Sequence, residues 1–157
     1  MKGFLLAVAA AASIGFAQQA GQSVEAPPGA RLLLEAKGAG SQIYSCKDSQ
    51  WVLKAPDARL LDAEGKVIGK HFAGPTWQLN DGSEVKGKLI ASQPAPDGKS
   101  IAWLLVGAVP GSGSGKFADV TYIRRTETEG GAAPKEGCTS GELSVHYAAK
   151  YSFYASK

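Results

Sequence analysis

The sequence predicts an all-β fold: a single antiparallel β-sandwich or a partly closed β-barrel, held by one disulfide. Three observations carry that expectation. Short apolar runs alternate with turn signals roughly every 8 to 15 residues. No segment sustains an apolar period of 3.6, so long helices are not expected. The 157 residues include 20 Gly and 8 Pro, a supply of turn formers that suits many short strands.

The elements follow in order. Strands are expected at Arg31–Ala36, Gln42–Cys46, Trp51–Lys54, Arg59–Leu61 and Val67–Phe72, then at Thr76–Leu79, Glu84–Ser92, Ile101–Val109, Val120–Thr128 and Leu143–Tyr154. Asp81-Gly82 and Asp97-Gly98 between them are hairpin-type turns, because glycine accepts the positive φ such turns require. The last strand places Leu143, Val145, Tyr147, Ala149, Tyr151 and Phe153 on one face, with Ser144, His146, Lys150 and Ser152 on the other. That is the period of two of a sheet with one wet side. Ile101–Val109 is apolar on both faces and is expected to be central. Pro75 cannot donate to a sheet ladder, which predicts a bend or bulge that sets His71 beside Trp77.

Residues 1–17 read as a signal peptide. Lys2 precedes an apolar stretch from Phe4 to Ile14, and Gly15-Phe16-Ala17 supplies small residues at a cleavage site. The stretch is shorter than the ~20 apolar residues of a membrane span. Residues 18–29 are polar and Pro-rich, a flexible lead-in, and 30–157 form one β domain. Export implies a secreted or periplasmic protein. In an oxidising compartment Cys46 and Cys138 read as one structural disulfide. Without Lys2 the chain carries 16 basic and 14 acidic residues. That weak, scattered surplus argues against a nucleic-acid partner, and nothing beyond the leader is apolar enough to span a membrane.

Gly111-Ser112-Gly113-Ser114-Gly115-Lys116 fails both phosphate-loop patterns. Pro110 stands where a Walker loop needs its first Gly, Phe117 follows the Lys, and the continuation reads as a strand. No cofactor is indicated. His71 and His146 lack metal-ligand spacing, so no metal is expected. Asp57, Asp62, Asp81, Glu84 and Asp119 offer carboxylates, with no spacing that selects a catalytic pair. The aromatic and turn-rich block from His71 to Trp77 is the place where chemistry would surface. The candidate ligand-binding residues are His71, Trp77, Trp103, Arg124 and Arg125, and a pocket joining His71 to either arginine would mark a site. Two functions stay open: a non-enzymatic domain binding a small molecule, glycan or envelope partner, or a small hydrolase-like enzyme using His71 with a nearby carboxylate.

Several blocks in order resemble a known family. They are Gln42–Cys46, Asp62 to Trp77 with Gly69-x-His71-Phe72-Ala73-Gly74-Pro75-Thr76-Trp77, and Asp81-Gly82-Ser83-x-Val85-x-Gly87. Trp103-Leu104-Leu105, Val120 to Pro134 and Tyr147 to Tyr154 continue the series. Across about residues 30 to 154 the chain is similar to domain of unknown function family 3455, found in bacteria and fungi, usually behind a signal peptide. The resemblance implies one exported domain and assigns no catalytic residue.

Overall fold

The computed structural model describes residues 23–157, so residues 1–17, expected to be a signal peptide, lie outside the described residues. Eight strands follow: β1 (Arg31–Lys47), β2 (Gln50–Leu61), β3 (Val67–Phe72), β4 (Thr76–Leu79), β5 (Glu84–Gln93), β6 (Trp103–Ala108), β7 (Tyr122–Gly130) and β8 (Glu142–Ala155). Each pairs antiparallel with the next, and β8 returns to pair with β1 from Arg31↔Ala155 to Ser45↔Glu142. Of the two expected architectures the barrel is adopted, and it closes fully.

β1 and β2 are each one long strand where the sequence suggested two. Gly38 and Gly40 fall in the gap between the first two expected strands, yet they sit within the period-two row of β1 that includes buried Ala36, Gln42 and Tyr44. A Cβ on Gly38 would lie 2.4 Å from Tyr151 Cε2, and one on Gly40 would lie 2.1 Å from the Asp57 carbonyl oxygen. Close approach, not chain reversal, requires these glycines. Pro56 falls in the gap between Trp51–Lys54 and Arg59–Leu61. β3 pairs only with Ala58 to Leu61, so Pro56 lies where β2 has one neighbour instead of two, and there a strand tolerates proline. Gly38→Val is therefore expected to destabilise the barrel by about 1–3 kcal/mol, since the Tyr151 ring would have to shift from its contacts with Tyr147 and His71. Urea unfolding would measure it, and an unchanged midpoint would refute the close-approach account.

The interior fills from one end. Leu60, Val85, Ile123, Phe117 and Phe153 are each 0% exposed. The glycine-rich connection between β6 and β7 ends in a short 3₁₀ turn, Gly115–Phe117, which inserts Phe117 onto Phe153 at a centroid distance of 4.6 Å. That loop is thus a plug for one mouth. Its backbone is tied to the β4–β5 corner by Lys116 N–H donating to Ser83 Oγ at 2.9 Å. Lys37, Arg59, Lys70, Lys86 and Lys88 are exposed on the strands. No helix among the described residues is long and apolar enough to cross a membrane.

The two-sided apolar character of β6 has a specific cause. Val106 belongs to the inner core, while Leu105 forms a second cluster with Ala91 and Val24, flanked by Trp103 and Tyr122. Val24, in the lead-in, is 2% exposed. The described start of the chain thus lies against the outer wall. At the other mouth, Cys46 at the end of β1 bonds Cys138 in the β7–β8 connection, with Cα atoms 5.8 Å apart. The Cys138 N–H donates to the Ser49 carbonyl at 3.1 Å, which pins that connection to the β1–β2 hairpin.

Candidate functional site

The unplugged end of the barrel holds a cavity of about 300 Å³. Its walls come from β1 (Gln42), β2 (Leu53–Pro56), β3 and β4 (His71, Trp77), the turn Ala73–Pro75, β6 (Leu104, Val106), β7 (Ile123, Arg125) and β8 (Tyr151). Most of these side chains are apolar, the usual character of a small-molecule site.

The bend at Pro75 is a tight hairpin turn. β3 and β4 pair without a register shift, so His71 stands directly opposite Trp77, and no bulge is involved. Gly74 at φ 142° and the Thr76 hydroxyl, which donates to the Ala73 carbonyl at 2.8 Å, shape the reversal. Cross-strand pairing then stacks the His71 and Trp77 rings at 4.4 Å and 12°, with Tyr151 tilted against His71 at 5.0 Å.

His71 is 3% exposed, and its Nδ1 lies 2.9 Å from the Thr76 carbonyl oxygen. A carbonyl only accepts, so Nδ1 carries the proton and Nε2 keeps a lone pair. Burial lowers the His71 pKa to about 4; the Thr76 carbonyl opposes that shift and the Arg125 charge adds to it. The imidazole is neutral at pH 7. Tyr151 and Tyr147 share a hydroxyl–hydroxyl bond of 2.9 Å, and burial raises both phenol pKa values.

Arg125 pairs across the strands with Leu104 on one side and Tyr151 on the other. It is half-buried, and its Nε and Nη2 donate to the Ala102 carbonyl at 3.0 and 2.8 Å. Adjacent strand residues face opposite ways, and Arg124 accordingly points outward. It donates to the Val24 carbonyl at 2.8 Å and pairs with Glu25 at 2.8 Å, clamping the lead-in. Trp103 packs beside the outer cluster.

Of the five candidate residues, His71, Trp77 and Arg125 line the one cavity, and Trp103 and Arg124 do not. His146 lies on the outer face of β8, 3.4 Å from Ser41 Oγ. None of Asp57, Asp62, Asp81, Glu84 and Asp119 lines the cavity. Asp62 and Asp81 instead accept backbone N–H bonds in their own turns. Gln42 and Tyr151 are lining residues that the sequence reading left out of the site. The signal for Gln42 was its even spacing from Gly38 and Gly40, hidden once β1 was divided in two.

Chemically the cavity offers a stacked aromatic wall, one lone pair at His71 Nε2 and one inward guanidinium. Its lining includes no Ser, Thr or Cys to act as nucleophile and no Asp or Glu. No curated protein and no solved structure matches the chain. The family described as "Protein of unknown function (DUF3455)" matches residues 27–155, a span that covers all eight strands, the disulfide and the cavity, and the chain belongs to that family.

Proposed function

We propose that this is an exported, non-enzymatic binding barrel whose cavity takes a small organic molecule with a flat apolar part. The observation that carries the reading is the mostly apolar cavity of about 300 Å³, open at the mouth, with the His71–Trp77 stack as one wall. A glycan, rich in hydroxyls, would meet too few polar partners there, and an envelope protein would need an exposed face, not an interior. The disulfide and the leader-like residues 1–17 support a secreted or periplasmic setting. The hydrolase-like alternative needs a carboxylate beside His71, and the cavity lining supplies none.

A thermal-shift screen of small aromatic compounds tests this. A ligand at a hundred times its dissociation constant adds about 2.7 kcal/mol to stability. Leu104→Trp, which puts an indole into the cavity from β6, is expected to abolish that protection while the protein still melts cooperatively. Protection that persists in Leu104→Trp, or a broad screen in which no compound protects the wild type, would overturn the proposal.

A further inference from the structure

We propose that the ligand is a monocarboxylate, with its acid group held by Arg125 and its apolar body along the Trp77–His71 wall. The inference rests on the cavity being a binding site, as argued above, and adds the chemical class of what binds. Its basis is an imbalance of charge. Among the described residues the ion pairs are Lys54–Glu142, Lys116–Asp81, Arg124–Glu25 and Lys150–Glu127, and none includes Arg125. Arg125 is nonetheless half-buried, as is Arg124, which has Glu25 for a counter-charge; Arg125 is set in a mostly apolar wall without an Asp or Glu. A guanidinium withdrawn from water without a counter-charge is costly.

Bracing the Ala102 carbonyl accounts for two of its N–H groups. A guanidinium has five; one more is directed at the Tyr151 hydroxyl, and the rest can meet a planar acceptor, whose fork a carboxylate matches. A second observation points to a polar group at the same place. Gln42 Oε1 and Trp77 Nε1, on two other walls of the cavity, are buried without hydrogen-bond partners. Orphaned polar atoms of this kind are rare in folded proteins and call for a partner. The indole N–H is a donor suited to an acid oxygen, and a half-turn of the Gln42 amide presents Nε2–H in the same role.

The alternatives are weaker. A phosphate dianion would want several cations or a cluster of backbone N–H groups. The other basic residue of the lining, Lys54, is at the mouth and already paired with Glu142. A cationic ligand would face Arg125 unscreened.

The test is a matched pair of probes of one shape, phenylacetate against phenylacetamide and indole-3-acetate against indole-3-acetamide, titrated calorimetrically into the mature protein at pH 7.5. The acids should bind roughly tenfold or more tightly than their amides, the scale of one charge-assisted hydrogen bond. Arg125→Gln should erase that preference while leaving amide binding in place, which also reports an intact barrel. Arg125→Lys should restore part of it. Amides that bind as well as acids would overturn the carboxylate inference and leave the cavity reading standing, as would a preference that survives Arg125→Gln. If neither acid nor amide binds at millimolar concentration, the cavity reading falls and takes this inference with it. The acid–amide comparison needs no variant, so it decides the matter even where Arg125→Gln fails to fold.

Discussion

Replacing Cys46 and Cys138 together by Ala is expected to lower the melting temperature on the order of 15 °C. The bond closes a loop with a sequence separation of 92. In the chain-entropy treatment a loop of that size restricts the unfolded chain by roughly 4–5 kcal/mol, a large share of the stability of a small domain. The native state should change little on its loss. β1 and β8 are already paired along almost their whole length, so the barrel does not depend on the sulfurs for closure. What loosens is the β7–β8 connection, which remains tied by the Cys138 N–H to Ser49 and by the Cys46 N–H to the Gly141 carbonyl at 2.9 Å. Urea unfolding of the oxidised wild type and the double variant measures the difference. A loss under about 1 kcal/mol would mean that the unfolded chain is compact enough to make the constraint redundant.

How much of this was readable in advance differs between elements. Val67–Phe72 and Thr76–Leu79 were bounded by Gly, Pro and Asp turn residues, and both strands have the predicted ends. The alternation along β8 likewise gives its inward row, with Tyr147, Ala149, Tyr151 and Phe153 all buried. Ser152 departs from it. It is 2% exposed on the expected wet face, where its hydroxyl donates a hydrogen bond to Glu35 of the neighbouring strand at 3.0 Å. Closure of the sheet was not legible, because it depends on pairing β1 with β8, a contact across the whole chain that leaves no local mark.

The site divides in the same manner. His71 and Trp77 were readable because they stand six positions apart around Pro75, which puts them opposite each other across one turn. Which of Arg124 and Arg125 points inward was not, because both flanks of β7 mix apolar and polar residues. The register with Leu104 and Tyr151 decides it. Trp103 was misleading for a related reason: its apolar neighbour on the outside is the lead-in, which covers a wall that would otherwise be wet.

Acidification is expected to cost the barrel stability well above the pH at which carboxylates protonate, and His71 is the reason. In the unfolded chain its imidazole takes up a proton near its ordinary value of 6.5, whereas in the folded barrel burial holds it at about 4. Between those values the unfolded state binds more protons than the folded one, so stability falls as pH falls. The contribution is complete above pH 6.5, erodes from there to about pH 4, and is constant below that. Moving from pH 8 to pH 5 should remove roughly 2 kcal/mol, taking 1.36 kcal/mol for each pKa unit. The carboxylates whose pKa values are lowered, Asp81, Asp97 and Glu142, lose their share only below their ordinary values of 3.8 to 4.5, so pH 5 stays above their window. His71→Gln keeps an amide donor for the Thr76 carbonyl and removes the titration. Its unfolding free energy should change between pH 8 and pH 5 by roughly 2 kcal/mol less than that of the wild type. Equal pH dependence in the two proteins would show that His71 takes up its proton in the folded state, and that the cavity wall is wetter than the stack on Trp77 implies.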